Sequence, residues 1–297
     1  MNIYQIYWLG RRIYYFLRWY NLKVIREQAY HDYYHVFKGA LQRIRPYITT
    51  VRNKRVLDVG CGVLFPQTLF FHSIGAKVTG IDTSYIIPSI RLQDRVRLIG
   101  RVPLTEATQR IIEELRGTLV YYSELRRIAE IPLNINGLDI RQMDVCDMVF
   151  RDETFDLVIS NAVFEHIEDV ETATLEIYRT MKKGAVVYIE IHLFPSLTGG
   201  HAIPYAPPGS QIVKTAGVPL WDHLRQKLYT FTHYPLNKLR ERDYRRIFER
   251  GFQILEWVTE FHEPKRFLTP EIRTELMDYS EEELLKRSIV VILRKGS

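Results

Sequence analysis

The stretch "VLDVGCGVLF", residues 56–65, reads as a β-strand that runs into a glycine turn, and such turns bring a backbone close to a nucleotide. A dinucleotide fingerprint needs a third glycine three positions after Gly62, where this chain has Phe65. A phosphate-cradling loop needs Gly-Lys-Ser/Thr, and no lysine follows the turn. What remains is Asp58-x-Gly60-x-Gly62. A carboxylate just before the turn repels a pyrophosphate but pairs with a cation, so the expected ligand carries positive charge and lacks phosphate.

Working outward, apolar runs alternate with helical patterns, which predicts an α/β fold whose mostly parallel sheet is covered on both faces. Strands are expected at 55–60, 77–82, 138–144, 155–161, 184–192, 252–260 and 288–295. The first helix has Pro66 in its first turn, an apolar face of Leu69, Phe70 and Ile74, and Gly75 as its stop. A second is expected from Val170 to Lys182, with Lys182 and Lys183 in the last turn and Gly184 after it. Two connections are too long for simple crossovers. Residues 92–137 read as a helical insertion, periodic at Ile111, Ile112, Leu115, Leu119 and Tyr122. Residues 193–236 hold six of the 13 prolines and follow the C-terminal edge of a strand, where a long loop reads as a lid over a ligand.

The charge is concentrated at one end. Residues 1–46 carry eight Lys/Arg against Glu27 and Asp32, which leaves 33 of each sign elsewhere, and the same residues hold 12 of the 37 aromatics. This basic aromatic segment reads as a unit apart from a domain at 47–297. Arg11, Arg12 and Arg18 interrupt its apolar runs well short of the roughly 20 residues that span a bilayer. No secretory cleavage site follows. Two readings stay open for residues 1–28: a helical cap on the domain, or an interfacial helix on an anionic membrane surface. With only Cys61 and Cys146, no disulfide framework is expected, and a reducing, cytoplasmic setting follows, with peripheral contact at the inner membrane face under the second reading.

Three further segments fall at strand ends. Asp82 closes "VTGIDTS", 22 residues after Gly60, where a carboxylate grips ribose hydroxyls; it and its neighbours Thr83 and Ser84 also suit a helix cap. Asp144 closes "IRQMDVCD", placed to meet an adenine edge or to sit as a solvated loop acid. "FDLVISNAVFEHIEDV" puts Asn161 and Ala162 at the sheet edge and His166 one turn on.

Taken together, these segments resemble the class I S-adenosylmethionine-dependent methyltransferases, in particular the small-molecule branch with "EH" after the fourth strand. The resemblance covers about residues 50–192 and the last two strands. It implies a doubly wound seven-stranded sheet with an antiparallel last strand, and S-adenosylmethionine as cofactor. It further implies that Asp58, Gly60, Cys61 and Gly62 hold the methionine end, Asp82 and Thr83 the ribose, Asp144 and Val145 the adenine, with Asn161 and Ala162 beneath the cofactor. Leu64 departs from the glycine usual in the family.

The Pro-Pro-aromatic loop of nucleic-acid amino methylation is absent, since Asn161-Ala162-Val163-Phe164 occupies that place, so no nucleic-acid partner is expected. Cys61 and Cys146 fall in cofactor-binding segments and do not suit a pyrimidine-attacking nucleophile. Hydroxyl methylation remains, and it needs a base. His192, His166 and His201 are the candidates, with His223 behind them. Glu190, His192 and His201 could meet a divalent metal, although their spacing matches no known ligand motif, so no metal site is assigned. Tyr205, Trp221 and Tyr229 suit a sugar or small-molecule acceptor, and the loop "HLFPSLTGGHAIPYAPPG" loosely resembles methyltransferases of bacterial surface-polysaccharide and natural-product pathways. Two rivals stay open: a non-catalytic protein of this fold that binds a partner, and a nicotinamide-dependent oxidoreductase.

Overall fold

The computed structural model describes residues 22–84, 118–201, 218–227 and 235–296. Seven strands lie in the order β3-β2-β1-β4-β5-β7-β6, with β7 antiparallel to both its neighbours. They are β1 Arg55–Val59, β2 Lys77–Asp82, β3 Asp139–Gln142, β4 Phe155–Asn161, β5 Met181–His192, β6 Phe252–His262 and β7 Lys286–Lys295. Each expected strand has its counterpart. The chain divides after Gln142 into two compact units.

In the first unit β2 pairs in parallel with β1 and β3. Helix α1 (Leu22–Tyr30) continues through a π-helical stretch, His31–Phe37, into α2 (Lys38–Ile44). The wider π turn is a local departure from α-helical phase, and the stretch buries Asp32, Tyr33, Val36 and Phe37. Tyr33 and Phe37 pack on Phe70 at ring separations of 5.2 and 4.9 Å, and Phe37 meets Phe71 at 5.3 Å. Those rings belong to α3 (Pro66–Ser73), which has Pro66 in its first turn and is followed by Gly75 at φ 93°. The buried Asp32 carboxylate accepts from Gln28 Nε2 at 2.8 Å and from Tyr121 Oη on α4 (Leu119–Ile128). Residues 22–44 are thus a helical cap on α3 and α4. Residues 1–21, which carry most of the interfacial-helix reading, and Ile111, Ile112 and Leu115 of the insertion lie outside the described residues.

In the second unit β4 pairs in parallel with β5, and α5 (Val170–Thr180) connects them. Asp169 caps α5 by accepting from the Thr172 amide at 2.9 Å. The helix ends two residues before the expected Lys182. Met181 instead pairs with Phe155 across a register shift, and Lys182 reaches Asp156 Oδ1 at 2.9 Å. The strand claims Lys182, Lys183 and Gly184 because its bulge, with Gly184 at φ 72°, absorbs the turn that would have stopped a helix.

Where it is described, the 193–236 connection packs into the second unit. Residues 195–200 are buried, and Thr198 donates both its amide (3.1 Å) and its hydroxyl (2.6 Å) to Glu263 Oε1. Trp221 is fully buried, donates to the Pro195 carbonyl at 3.1 Å, and joins Leu197, Val218, Ile272, Leu276 and Leu284 in a core cluster. It is therefore a core anchor and not a platform for a sugar ring. Tyr205 and Tyr229 lie outside the described residues. Among the described residues, no helix is long and apolar enough to cross a membrane.

Candidate active site

The glycine loop of the first unit is held from two sides. Gly60 and Cys61 amides donate to the Ile81 carbonyl at 2.8 and 3.0 Å, which ties the exit of β1 to β2. Gly60 and Gly62 sit at φ 70° and 68°, a region that L-side chains avoid. Asp82 accepts from the Gly62 amide (3.0 Å) on one oxygen and the Ser84 amide (2.8 Å) on the other. Its carboxylate therefore both fixes the loop and keeps lone pairs for donors such as ribose hydroxyls. Thr83 is exposed at the strand exit. A Cβ added at Gly62 would meet nothing within 4 Å, so the backbone there can be approached closely.

Asp58, in β1 just before this loop, is buried. The Thr68 hydroxyl donates to its Oδ2 at 2.6 Å. Burial pushes its carboxyl up to about 7, and Asp82 adds to the rise while Thr68 opposes it. Such a group gains from an arriving cation, because an ammonium supplies the charge that the fold withholds. Cys61 is buried, and desolvation with Asp58 and Asp82 nearby pushes its thiol up, so it packs as a small apolar group.

In the second unit Asp144 is exposed just past β3 and accepts from the Cys146 amide at 2.9 Å, while Val145 is buried. Asn161 ends β4, and Ala162, at φ 54°, donates its amide to the Glu190 carbonyl at 3.0 Å. The 3-10 turn Phe164–His166 follows. Asn237 fixes it, donating from Nδ2 to the Phe164 and Ile167 carbonyls at 2.7 and 2.9 Å.

The three candidate bases converge here. His166 and His201 rings stand 4.9 Å apart, and His192 and His201 6.0 Å apart. His192 Nδ1 lies 3.4 Å from Glu165 Oε1. His166 Nδ1 is 2.8 Å from the Pro235 carbonyl, which can only accept; Nδ1 therefore carries the proton and the neutral ring keeps its lone pair on Nε2. Burial lowers His166, and burial with His166 and His223 nearby lowers His201 to about 3, so both rings are neutral at pH 7. His223 is a structural group, lowered to about 4 by burial, with Nε2 2.8 Å from the Phe194 carbonyl.

Glu165 and Thr68 are the side chains that sequence reasoning missed. Glu165 is fully buried inside "VFEHI", and burial pushes its carboxyl up to about 8. A carboxylate flanked by apolar residues in a run with strand and turn character was the available signal. Glu190, which the sequence grouped with His192 and His201, instead lies 3.4 Å from Ser288 Oγ on β7.

Comparison with known proteins adds to this geometry. Residues 118–189 match the family described as "Methyltransferase domain". A phosphatidylethanolamine N-methyltransferase of Cereibacter sphaeroides is 28% identical over 141 residues, 48% of this chain and 52% of that protein. The chain thus matches about half the length of that curated relative. A chain of the solved complex of the Haloferax volcanii Trm112 methyltransferase activator superposes with TM-score 0.50 at 14% identity, covering 92% of this chain and 93% of that one. An S-adenosylmethionine-dependent methyltransferase of Mesorhizobium loti gives 0.46 at 16% identity, covering 86% and 98%. At 14% identity the likeness to the Haloferax volcanii complex is one of fold alone. Residues 118–189 thus match a methyltransferase domain, and they lie in a chain whose seven strands follow the order given above.

Proposed function

We propose that the protein transfers a methyl group from S-adenosylmethionine to a hydroxyl of a sugar or another small polyol. The observation that carries the cofactor assignment is Asp58, a buried carboxylate raised to about 7 beside an open glycine loop that lacks lysine. Asp58 suits the ammonium of the methionine end, with Gly60, Cys61 and Gly62 supplying backbone. Asp82 and Thr83 suit the ribose, Asp144 and Val145 the adenine, and Asn161 and Ala162 the floor. When bound, the cofactor supplies a sulfonium that already activates the methyl group.

The chain's own contribution to the chemistry is to hold the acceptor and take its proton. His192 is the preferred base, because it closes β5 with Nδ1 3.4 Å from the buried Glu165 carboxyl. His166 and His201, both neutral at pH 7, are the alternatives. A positioned base contributes about 10²- to 10⁴-fold, so replacing the operative histidine by alanine should lower turnover by that factor while cofactor affinity holds. The assay is mass spectrometry for the gain of one CH₂ across a panel of sugars and small polyols. Losses below about tenfold at all three positions would remove the base from the account and leave alignment alone.

A second reading, an amine acceptor on a phospholipid headgroup, is favoured by the name of the Cereibacter sphaeroides relative and by the basic aromatic residues 1–28. Phosphatidylethanolamine vesicles in the same panel separate the two. Methylation of the headgroup amine with no hydroxyl product would replace the first reading by the second.

A further inference from the structure

We infer that Glu165, His192 and His201 form a binding site for one divalent transition-metal ion. Each offers one ligand atom, and the three atoms lie within 4.8 Å of one another. His192 Nδ1 and Glu165 Oε1 are already 3.4 Å apart, close to the separation of two ligands that each stand roughly 2.1 Å from one ion. The remaining closure is on the order of 1 Å, within reach of a side-chain rotation.

The second observation is the state of Glu165. Its side chain is 3% exposed, and neither carboxylate oxygen completes a hydrogen bond among the described residues. Removing a carboxylate from water without donors is costly, and buried charges are as a rule paired or bound to a metal. Glu190, also buried, adds a second carboxylate to the same region of the unit. A dication would compensate the Glu165 carboxylate.

The three ligands come from separate, well-fixed elements. Glu165 sits in the 3-10 turn that Asn237 grips, with the Asn237 amide donating to the Glu165 carbonyl at 3.0 Å. His192 is the last residue of β5. His201 sits at φ 54° in a turn closed by its own amide on the Thr198 carbonyl at 2.9 Å. Two imidazoles and one carboxylate select zinc and its first-row neighbours over magnesium or calcium, which prefer oxygen alone. Three protein ligands leave coordination positions open, the arrangement of a catalytic and not a purely structural site. Its use there, lowering the pKa of an acceptor hydroxyl, rests on the methyl-transfer reading; the binding itself does not.

The test is direct. The full chain, stripped with a chelator, is titrated with zinc chloride against a chromophoric competitor, and bound zinc is counted after gel filtration. One zinc per chain is expected for the wild type, with at least tenfold weaker binding for each of Glu165→Gln, His192→Asn and His201→Ala. Cys146→Ser, the control for thiol capture, should bind as the wild type does. Added zinc should also raise the melting temperature of the wild type and not that of Glu165→Gln, a near-isosteric change that leaves the turn intact. No stoichiometric zinc on the folded wild type, or zinc retained by all three ligand variants, would overturn the inference, whatever the outcome of the methyl-transfer assay.

Discussion

Replacing Asp58 by asparagine should stabilise the ligand-free protein at pH 8 and at the same time weaken its hold on S-adenosylmethionine by about 10- to 150-fold. The carboxyl of Asp58 rises from 3.8 to about 7 on folding, chiefly through burial. A raised carboxyl favours the folded state fully only below the unfolded value. That contribution is lost as pH climbs from about 4 to about 7, and above 7 the fold carries a buried charge. Three pKa units correspond to roughly 4 kcal/mol as an upper bound. Asparagine has the same shape, carries no charge and can still accept from the Thr68 hydroxyl. The expected gain is therefore several degrees in melting temperature at pH 8, shrinking as pH falls through 7 and gone near pH 4. The cost appears in binding, where a charge-assisted hydrogen bond to an ammonium contributes about 1.5 to 3 kcal/mol. Melting curves at pH 8, 6 and 4 together with one titration decide the matter. An asparagine variant that is less stable at pH 8 and binds the cofactor normally would show that Asp58 is only a packed polar residue.

Gly80→Ala should damage the same loop from beneath. Gly80 lies on β2 opposite Asp58 in the parallel register. A Cβ there would stand 2.5 Å from Thr68 Oγ1 and 3.1 Å from both Cβ and Sγ of Cys61. Thr68 cannot simply swing aside, because it is fully buried and its hydroxyl is committed to Asp58 at 2.6 Å. Overpacking of this kind costs typically 1–3 kcal/mol. The variant should melt several degrees lower and bind the cofactor less tightly, since the Thr68–Asp58 pair must shift. In a Thr68→Ala background the added penalty should shrink, because the closest clash has gone and only the 3.1 Å contacts with Cys61 remain; that non-additivity is the signature of the contact. Additive losses in the double variant would place the damage elsewhere.

Most of the sheet was legible because its strands are apolar runs punctuated by glycine and charged residues, as in Val56–Val59 before Gly60 and Val78–Ile81 before Asp82. Position 181–184 was misread because Lys182, Lys183 and Gly184 carry a helix-stop signal. Pairing of Met181 with Phe155 and the Lys182–Asp156 contact overrode it, and neither is local in sequence. Trp221 was misread for the converse reason: an aromatic in a proline-rich stretch resembles a binding platform until its burial against Leu197 and Leu284 is seen. The carboxylates and histidines of the candidate site could be named from strand ends. Which of them meet could not. Glu165 displaces Glu190 beside His192 because the 3-10 turn after β4 folds its side chain inward, a rotation that no pattern of residue types encodes.

The account stands or falls on its cofactor, and calorimetric titration of the full chain with S-adenosylmethionine tests it most directly. It predicts saturable binding at one site per chain, no competition by NAD, and a loss of about 10- to 150-fold in affinity for Asp82→Ala, whose carboxylate both anchors the Gly62 amide and offers the ribose its acceptors. Absence of binding, binding that NAD displaces, or an Asp82→Ala variant that binds as the wild type does would contradict it.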